Sequence, residues 1–268
     1  MFVKSTNSTN TLLKELLTKD EWPEGERFLR AGFQTAGRGQ AGNGWESEEG
    51  KNLLCSILIS RQPSAVSHQP FYLNVAVSVA VHRMVSHQLS AVSHQLTIKW
   101  PNDIYWGDKK ISGILIENAM IGNKLTYSIA GIGLNVNQTE WKSDAPNPVS
   151  MKQVVESCQP SAVSHQIADF NIDELMERLM EEIDRAQEED VWDYYKAHLY
   201  RREGYWPFME REVSVAPTMN ATTAVSSQPS AVSFMACIKD VLPTGEIVLE
   251  DQQGKERKYH FKQIRYVI

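Results

Sequence analysis

Four glycines fall within residues 37–44 (GRGQAGNG), and an arginine, Arg38, stands among them. Further on, KWPNDIYWGDKK (99–110) places Asn102 and Asp103 directly after a proline and ends on a lysine pair, Lys109 and Lys110. GIGLNVN (131–137) then sets Asn135 and Asn137 in alternation among apolar residues. Cations, amides and one carboxylate in this combination suit an anionic substrate with polar edges, a phosphate or a carboxylate. Neither a Ser-His-Asp arrangement nor a metal-ligand cluster, a Walker loop or a reactive-cysteine context accompanies them.

Each feature also has a plainer reading. Gly37, Gly39 and Gly42 spell GxGxxG, but a dinucleotide fingerprint needs a strand before the glycines and a helix opening on them. Here a polar stretch and then KNLLCSILIS (51–60) follow, and that apolar run reads as a strand. The dinucleotide reading is therefore set aside. Lys109 and Lys110 are equally a solvated charged turn, and Trp45 is equally a core tryptophan. Gly131 and Gly133 within a strand point to close approach of a ligand or of backbone. A buried Asn135 needs hydrogen-bond partners, which a ligand or the protein itself can supply.

The elements that must position these residues are readable in outline. In STNTLLKELLTK, Leu12, Leu13, Leu16 and Leu17 share a helical face, with Ser8, Thr9 or Asn10 as the N-cap. A buried helix is expected at 71–84 and strands at 96–100, 111–118 and 124–136. An amphipathic helix covers NIDELMERLMEEIDRAQ, with Ile172, Leu175, Leu179 and Ile183 inward, and a second helix runs through VWDYYKAHLY. Pro101 ends the strand before it and leaves Asn102 and Asp103 at the mouth of a cleft. After GYWPF, short alternating segments (EVSVA, FMACIKDVL, GEIVLED, RKYHF, IRYVI) predict a small antiparallel β-barrel. The expected architecture is α+β: a mixed-sheet domain over 1–208 and the barrel over 209–268.

A degenerate repeat, SAVSHQ or part of it, recurs at 63–69, 85–88, 89–95, 160–166 and 229–233. Its irregular intervals exclude a solenoid. Its histidines (His68, His87, His94, His165) are read as parts of inserted loops, not as metal ligands. His82, His198 and His260 are scattered and read as surface or helix residues. The three cysteines, far apart and odd in number, predict free thiols and a cytoplasmic setting. A net charge of −6 speaks against a nucleic-acid surface. Neither a bilayer-length apolar run nor a basic-then-apolar leader is seen.

GRGQAGNGW, KWPNDIYWGDKKISGILIE and GIGLNVN, in this order, closely resemble biotin protein ligases, and STNTLLKEL and the C-terminal segments match the same family. The resemblance implies activation of biotin by ATP and Mg²⁺ to biotinyl-5′-AMP. Transfer to one lysine of an apo biotin carboxyl carrier domain, of acetyl-CoA carboxylase or a related carboxylase, then follows. It implies catalytic roles for Lys110, Arg38 and Asp103, and a glycine loop that orders over the adenylate. Biotin is implied to meet Ser8, Thr9, Asn10, Gln34, Arg38, Gly39, Gln40 and Lys110. ATP or the adenylate is implied to meet Arg38, Gln40, Trp45, Asn102, Lys110 and Asn135. No protein-bound metal site is implied.

Gln40 departs from the family, many members of which carry arginine there; an amide brings no charge to the adenylate. Because the STN motif at 8–10 lies so near the start, the resemblance is to the monofunctional form without a DNA-binding domain. Homodimerisation through the catalytic sheet is an arrangement the family allows. Lipoate or octanoate ligation, and an inactive biotin-binding module, are the alternatives.

Overall fold

The computed structural model describes residues 1–59, 71–122, 124–158, 167–211 and 233–268. They divide into two compact units, Met1–His68 with Tyr72–Tyr200 and Gln69–Phe71 with Arg201–Ile268.

The first unit is built on a seven-stranded mixed sheet in the order β1-β2-β3-β7-β6-β5-β4. Its strands are β1 (Phe2–Val3), β2 (Phe28–Ala31), β3 (Leu53–Ile59), β4 (Leu96–Lys99), β5 (Asp103–Trp106), β6 (Lys109–Ile121) and β7 (Lys124–Leu134). Only β1 and β2 run parallel; the other neighbours are antiparallel. Period-two alternation gives the sheet two unlike faces. One carries Leu53, Cys55, Ile57, Ile114, Ile116, Ala130, Ile132 and Leu134. The other carries Leu54, Ser56, Gly113, Leu115, Glu117, Gly131 and Gly133, brought level by the pairings Gly113↔Gly133, Leu115↔Gly131 and Ser56↔Gly131.

Helix α1 (Thr9–Thr18) approaches this second face, its Asn10 lying over Gly131. Helices α2 (Tyr72–Gln88) and α4 (Ile172–Glu188) pack on each other, following the short α3 (Met151–Cys158) only in chain order for α4. α2 is rich in valine, a modest helix former, yet Val75, Val77, Val79, Val81 and Val85 are all buried. Burial on several sides overrides propensity here. The amphipathic α4 matches its expectation: Leu175, Leu179 and Ile183 are buried, and the Asn171 side chain caps the first turn through the N–H groups of Asp173 and Glu174. The short α5 (Trp192–Ala197) supplies Tyr195, whose hydroxyl donates to the Pro101 carbonyl at 2.8 Å and holds the β4–β5 turn.

The second unit corrects the barrel expectation. Its strands β8 (Trp206–Glu210), β9 (Ser233–Val241), β10 (Ile247–Asp251), β11 (Glu256–Tyr259) and β12 (Ile264–Tyr266) form an open antiparallel sheet, in the order β11-β10-β9-β8-β12. Closure needs the two edge strands to pair; among the described residues β11 and β12 share no ladder, and four and three residues give them little length for the stagger a closed barrel requires. Among the described residues WPFME supplies the first strand; EVSVA lies outside them.

One further expectation changes. The repeat copy at 85–88 is not in a loop: it completes α2, with Val85 fully buried. The copies at 63–69 and 160–166 lie outside the described residues, as does most of that at 229–233. His82 lies in α2, as the helix reading has it, and is buried, being 2% exposed. Its Nε2–H donates to the Leu96 carbonyl at 3.1 Å, so Nδ1 accepts from the Tyr194 hydroxyl at 3.0 Å, and His198 stands 4.7 Å away between ring centroids. Burial, aided by the nearby His198 and Arg83, pushes the His82 pKa down to about 4.

An unfolded chain therefore takes up a proton at His82 near pH 6.5, whereas the folded one resists until about pH 4. Stability is retained above the upper value and falls with pH through this window. At pH 5 the loss from this group should be about 2 kcal/mol. Denaturant titrations of the wild type and His82→Gln, whose amide can copy both hydrogen bonds, should converge as pH falls from 7 to 5. Parallel curves would show that His82 carries no proton linkage.

Candidate active site

The glycine loop is a closed turn. An isolated antiparallel bridge joins Arg38 to Gly44, Gly39 N–H donates to the Asn43 carbonyl at 2.7 Å, and Trp45 N–H donates to the Gly37 carbonyl at 2.9 Å. Gly42, at φ +84°, sits where a side chain would be strained. The loop delivers Trp45 onto the sheet. A Cβ at Gly133 would stand 2.4 Å from Trp45 Cε2, and one at Gly113 would stand 2.8 Å from Trp45 Cζ3. The ring thus lies on bare backbone of β6 and β7, and its buried Nε1 has no hydrogen-bond partner among the described residues.

Beside the ring, Lys110 Nζ is 5.7 Å from a Trp45 ring centroid and donates to Asp103 Oδ2 at 2.7 Å. Antiparallel pairing of β5 with β6, with a register shift after Ile104, carries both into reach. Each is 29% exposed, so the cation is held while remaining open to a ligand. Lys109 is exposed and takes no part. Asn135 is buried just beyond β7. Its Nδ2 donates to the Val149 carbonyl at 3.2 Å and faces the Lys110 carbonyl at 3.4 Å, while its buried Oδ1 has no partner among the described residues. Asn137 differs: it exchanges two hydrogen bonds with the Phe170 backbone and is structural.

Around α1 the amides close on one another. Ser8 is the buried N-cap, with extended backbone and no capping bond from its hydroxyl. Gln34 supplies the acceptor instead, taking Thr9 N–H at 2.8 Å and facing the Thr9 hydroxyl at 3.1 Å. This satisfies one of the orphan N–H groups at the helix start. Asn10 fits over the sheet because Gly131 lacks a side chain; a Cβ there would be 2.3 Å from Asn10 Oδ1. Arg38 reaches Glu117 Oε2 at 3.0 Å, and Gln40 Nε2 donates to Asn102 Oδ1 at 3.1 Å and faces the Ile114 carbonyl at 3.4 Å. Asn102 in turn donates to Asn74 Oδ1 on α2 at 2.8 Å.

At Gly131 and Gly133, where close approach of a ligand or of backbone is expected, the approaching groups are the side chains of Asn10 and Trp45. Glu117, Ser56 and Asn74 were not singled out from sequence. Period-two counting from Gly113 places Glu117 on the same face, a signal that was available; Ser56 and Asn74 depend on pairings between distant segments. Cys55, on the opposite face, is no nucleophile, since burial pushes its thiol up to about 12. Among the described residues no three His, Cys, Asp or Glu side chains gather as a metal site.

Gly133→Ala should force the Trp45 ring off the sheet, seen as a red shift in tryptophan emission that is absent in a Trp45→Phe background. An unshifted spectrum would mean that the ring does not rest on Gly133.

Residues 2–135, half of the chain, match the biotin/lipoate A/B protein ligase family. The bifunctional ligase/repressor BirA of Bacillus subtilis is 34% identical over 158 residues, covering 58% of this chain and 45% of that protein. BirA of Bacillus spizizenii is 36% identical over 132 residues, covering 49% and 38%. The chain thus spans less than half the length of these two curated relatives. Among solved structures, the biotin protein ligase of Aquifex aeolicus in complex with biotin and ATP matches at TM-score 0.71 and 18% identity, covering 100% of this chain and 98% of that one. At that identity the likeness is one of fold. With half of its length matched, and the glycine loop, Lys110 and Asn135 inside the matched span, the chain belongs to the biotin/lipoate A/B protein ligase family.

Proposed function

We propose that the chain is an ATP-dependent, AMP-forming ligase that makes biotinyl-5′-AMP and transfers biotin to a lysine of a biotin carboxyl carrier domain. The observation that carries this reading is the convergence along one face of β6. Lys110 with Asp103, Trp45 on Gly113 and Gly133, and Arg38 beside the amide cluster of α1 all meet there. The catalytic work belongs to the first unit, and the unit from Arg201 onward, which holds the strands β8 to β12, is a separate domain.

In the first step the biotin carboxylate attacks the α-phosphorus of ATP and pyrophosphate leaves. Two anions converge, and Lys110 and Arg38 offset their repulsion. Lys110 exchanges Asp103 for phosphate oxygen, and Arg38 turns from Glu117 toward the adenylate. Trp45 lies against the adenine, with Asn102, Gln40 and Asn135 as polar contacts; the unpaired Asn135 Oδ1 is an acceptor without a protein donor. In the second step the carrier lysine amine attacks the acyl carbon and AMP leaves. Asp103, released from Lys110, accepts the amine proton, since only the neutral amine is nucleophilic.

Mg²⁺, when bound with ATP, offsets phosphate charge. The donor set fits a cation held mainly by phosphates and water, with Asp103 the carboxylate nearest Lys110.

The polar lining favours biotin over lipoate or octanoate. Ser8, Thr9, Asn10 and Gln34 offer hydroxyls and amides to a ureido ring, for which an aliphatic acid carries no matching donors or acceptors. Gly39 closes the loop beside them through its backbone. The acceptor is the carrier domain of acetyl-CoA carboxylase or a related carboxylase, in the cytoplasm, with a homodimer compatible with the exposed edge strand β1. Among the described residues no helix is long and apolar enough to cross a membrane.

Mass spectrometry of an apo carrier domain incubated with the chain, biotin and MgATP should show the gain of one biotin. No gain with saturating substrates, or a gain with lipoate alone, would overturn the reading. Lys110→Ala should slow adenylate formation by about 10²–10³-fold while changing stability by at most about 0.5 kcal/mol. Parallel losses of melting temperature and rate would make Lys110 a structural residue. Gln40→Arg should add a charge-assisted contact of about 1.5–3 kcal/mol to the bound adenylate. Labelled intermediate chased with unlabelled biotin and ATP should then leave more slowly; unchanged release places residue 40 away from the phosphate.

A further inference from the structure

Glu117 stands on β6, two pleats beyond Gly113 on the glycine-bearing face, and its Oε2 receives two donors from different parts of the chain. Asn10 Nδ2, at the start of α1, donates to it at 2.7 Å, and Arg38 of the glycine loop lies 3.0 Å from the same oxygen. Side-chain exposure of 32% for Glu117 and 46% for Arg38 leaves the pair open to exchange with a ligand.

The Asn10 amide is fixed in orientation by its surroundings. Its Nδ2 points at two acceptors, Glu117 and the Leu115 carbonyl, the latter at 3.3 Å. Its Oδ1 therefore faces the buried Ser56 hydroxyl at 2.5 Å and accepts that proton. Ser56 Oγ also lies 2.7 Å from the Thr9 hydroxyl, which faces Gln34 at 3.1 Å. With the Ser56 proton given to Asn10, the single Thr9 hydroxyl proton goes to Ser56 Oγ, and Gln34 Oε1 is joined through the Thr9 backbone N–H at 2.8 Å; the chain of side-chain hydrogen bonds runs Thr9–Ser56–Asn10–Glu117–Arg38. Its first members are the groups assigned to the ring of the substrate, and its last is the loop cation assigned to the phosphate end. Such networks can be worth more than their separate bonds, because each member fixes the next.

We infer that Glu117 is a positioning residue that couples recognition of the substrate ring by Asn10 to placement of the glycine-loop cation Arg38. It touches neither reacting atom. It sets the amide orientation of Asn10 and holds Arg38 beside it, so that a ligand seated against Asn10 meets a loop cation already in place. This inference rests on the reading of the pocket as a biotin site.

The test is a double-mutant cycle read as biotin affinity, by calorimetry in the absence of ATP. Glu117→Leu, which removes both acceptor contacts, should weaken biotin binding by roughly tenfold or more. Glu117→Gln retains an acceptor for Asn10 without the ion pair and should fall between Glu117→Leu and wild type. In an Arg38→Met background, either Glu117 substitution should cost clearly less than in the wild type, because its partner is gone. Thermal melts identify any variant that fails to fold; if Glu117→Leu does, Glu117→Gln carries the cycle. Additive losses, or Glu117 variants that bind biotin like wild type, overturn the coupling and leave the functional reading standing. A wild-type chain that binds no biotin overturns that reading and this inference with it.

Discussion

Gly113 and Gly133 face one another across β6 and β7, and the Trp45 ring occupies the space their side chains would fill. Two residues along β7, Gly131 gives the same room to Asn10. A sheet of ordinary residues holds neighbouring groups off by the thickness of its side chains. Here that layer is missing at three positions, and an indole and an amide rest directly on backbone. The rest of the site follows from this close approach. The glycine loop must close tightly enough to deliver Trp45, α1 must begin where Asn10 meets Gly131, and Lys110 must leave β6 beside the ring.

The same face carries two cations, each held by a carboxylate: Lys110 by Asp103 and Arg38 by Glu117. Partly exposed pairs of this kind contribute little to stability, typically below about 1 kcal/mol. Their value lies in geometry. A cation oriented by a weak partner can leave it for a phosphate at small cost, whereas one buried in a strong pair would not. Burial is used differently on the opposite face, where Cys55 and the apolar residues of β3 and β7 form a dry core without reactive groups.

The loop stem is fixed from outside the sheet. Glu46, next to Trp45, accepts the backbone N–H groups of Lys142 and Ser143 at 2.7 and 2.8 Å. Burial raises its carboxyl, but the bonds from Ser143 and from these N–H groups outweigh that and hold it below its ordinary value. Glu48 N–H donates to Gln138 Oε1 at 3.0 Å, and Asn52 donates to the same oxygen at 2.5 Å. Trp45 is thereby anchored by its neighbours and not only by stacking.

The sequence by itself determined the local elements whose signals lie within a few residues. These include the capped α4, the leucine face of α1, the strand over Leu53–Ile59 and the alternating strands β6 and β7. It also marked Arg38, Asp103, the pair Lys109–Lys110 and the inner glycines as candidates, because glycine in a strand and charge at a strand end are uncommon enough to stand out, while the preference for Lys110 within the pair came from the family resemblance. The short β1 and β2 and the helix α3 left no such signal. Whether the C-terminal strands closed could not be read either, since closure is decided by pairing of the two edges and not by alternation within each strand. His82 looked like one more helix residue until α2 was packed against β4 and α5. Tertiary structure alone decided that Glu117 receives both Asn10 and Arg38, which lie 107 and 79 residues away, and that Ser56 lies beneath Thr9 and Asn10. Such contacts are set by sheet register and strand order, and a linear pattern records the period of a strand but not its neighbour.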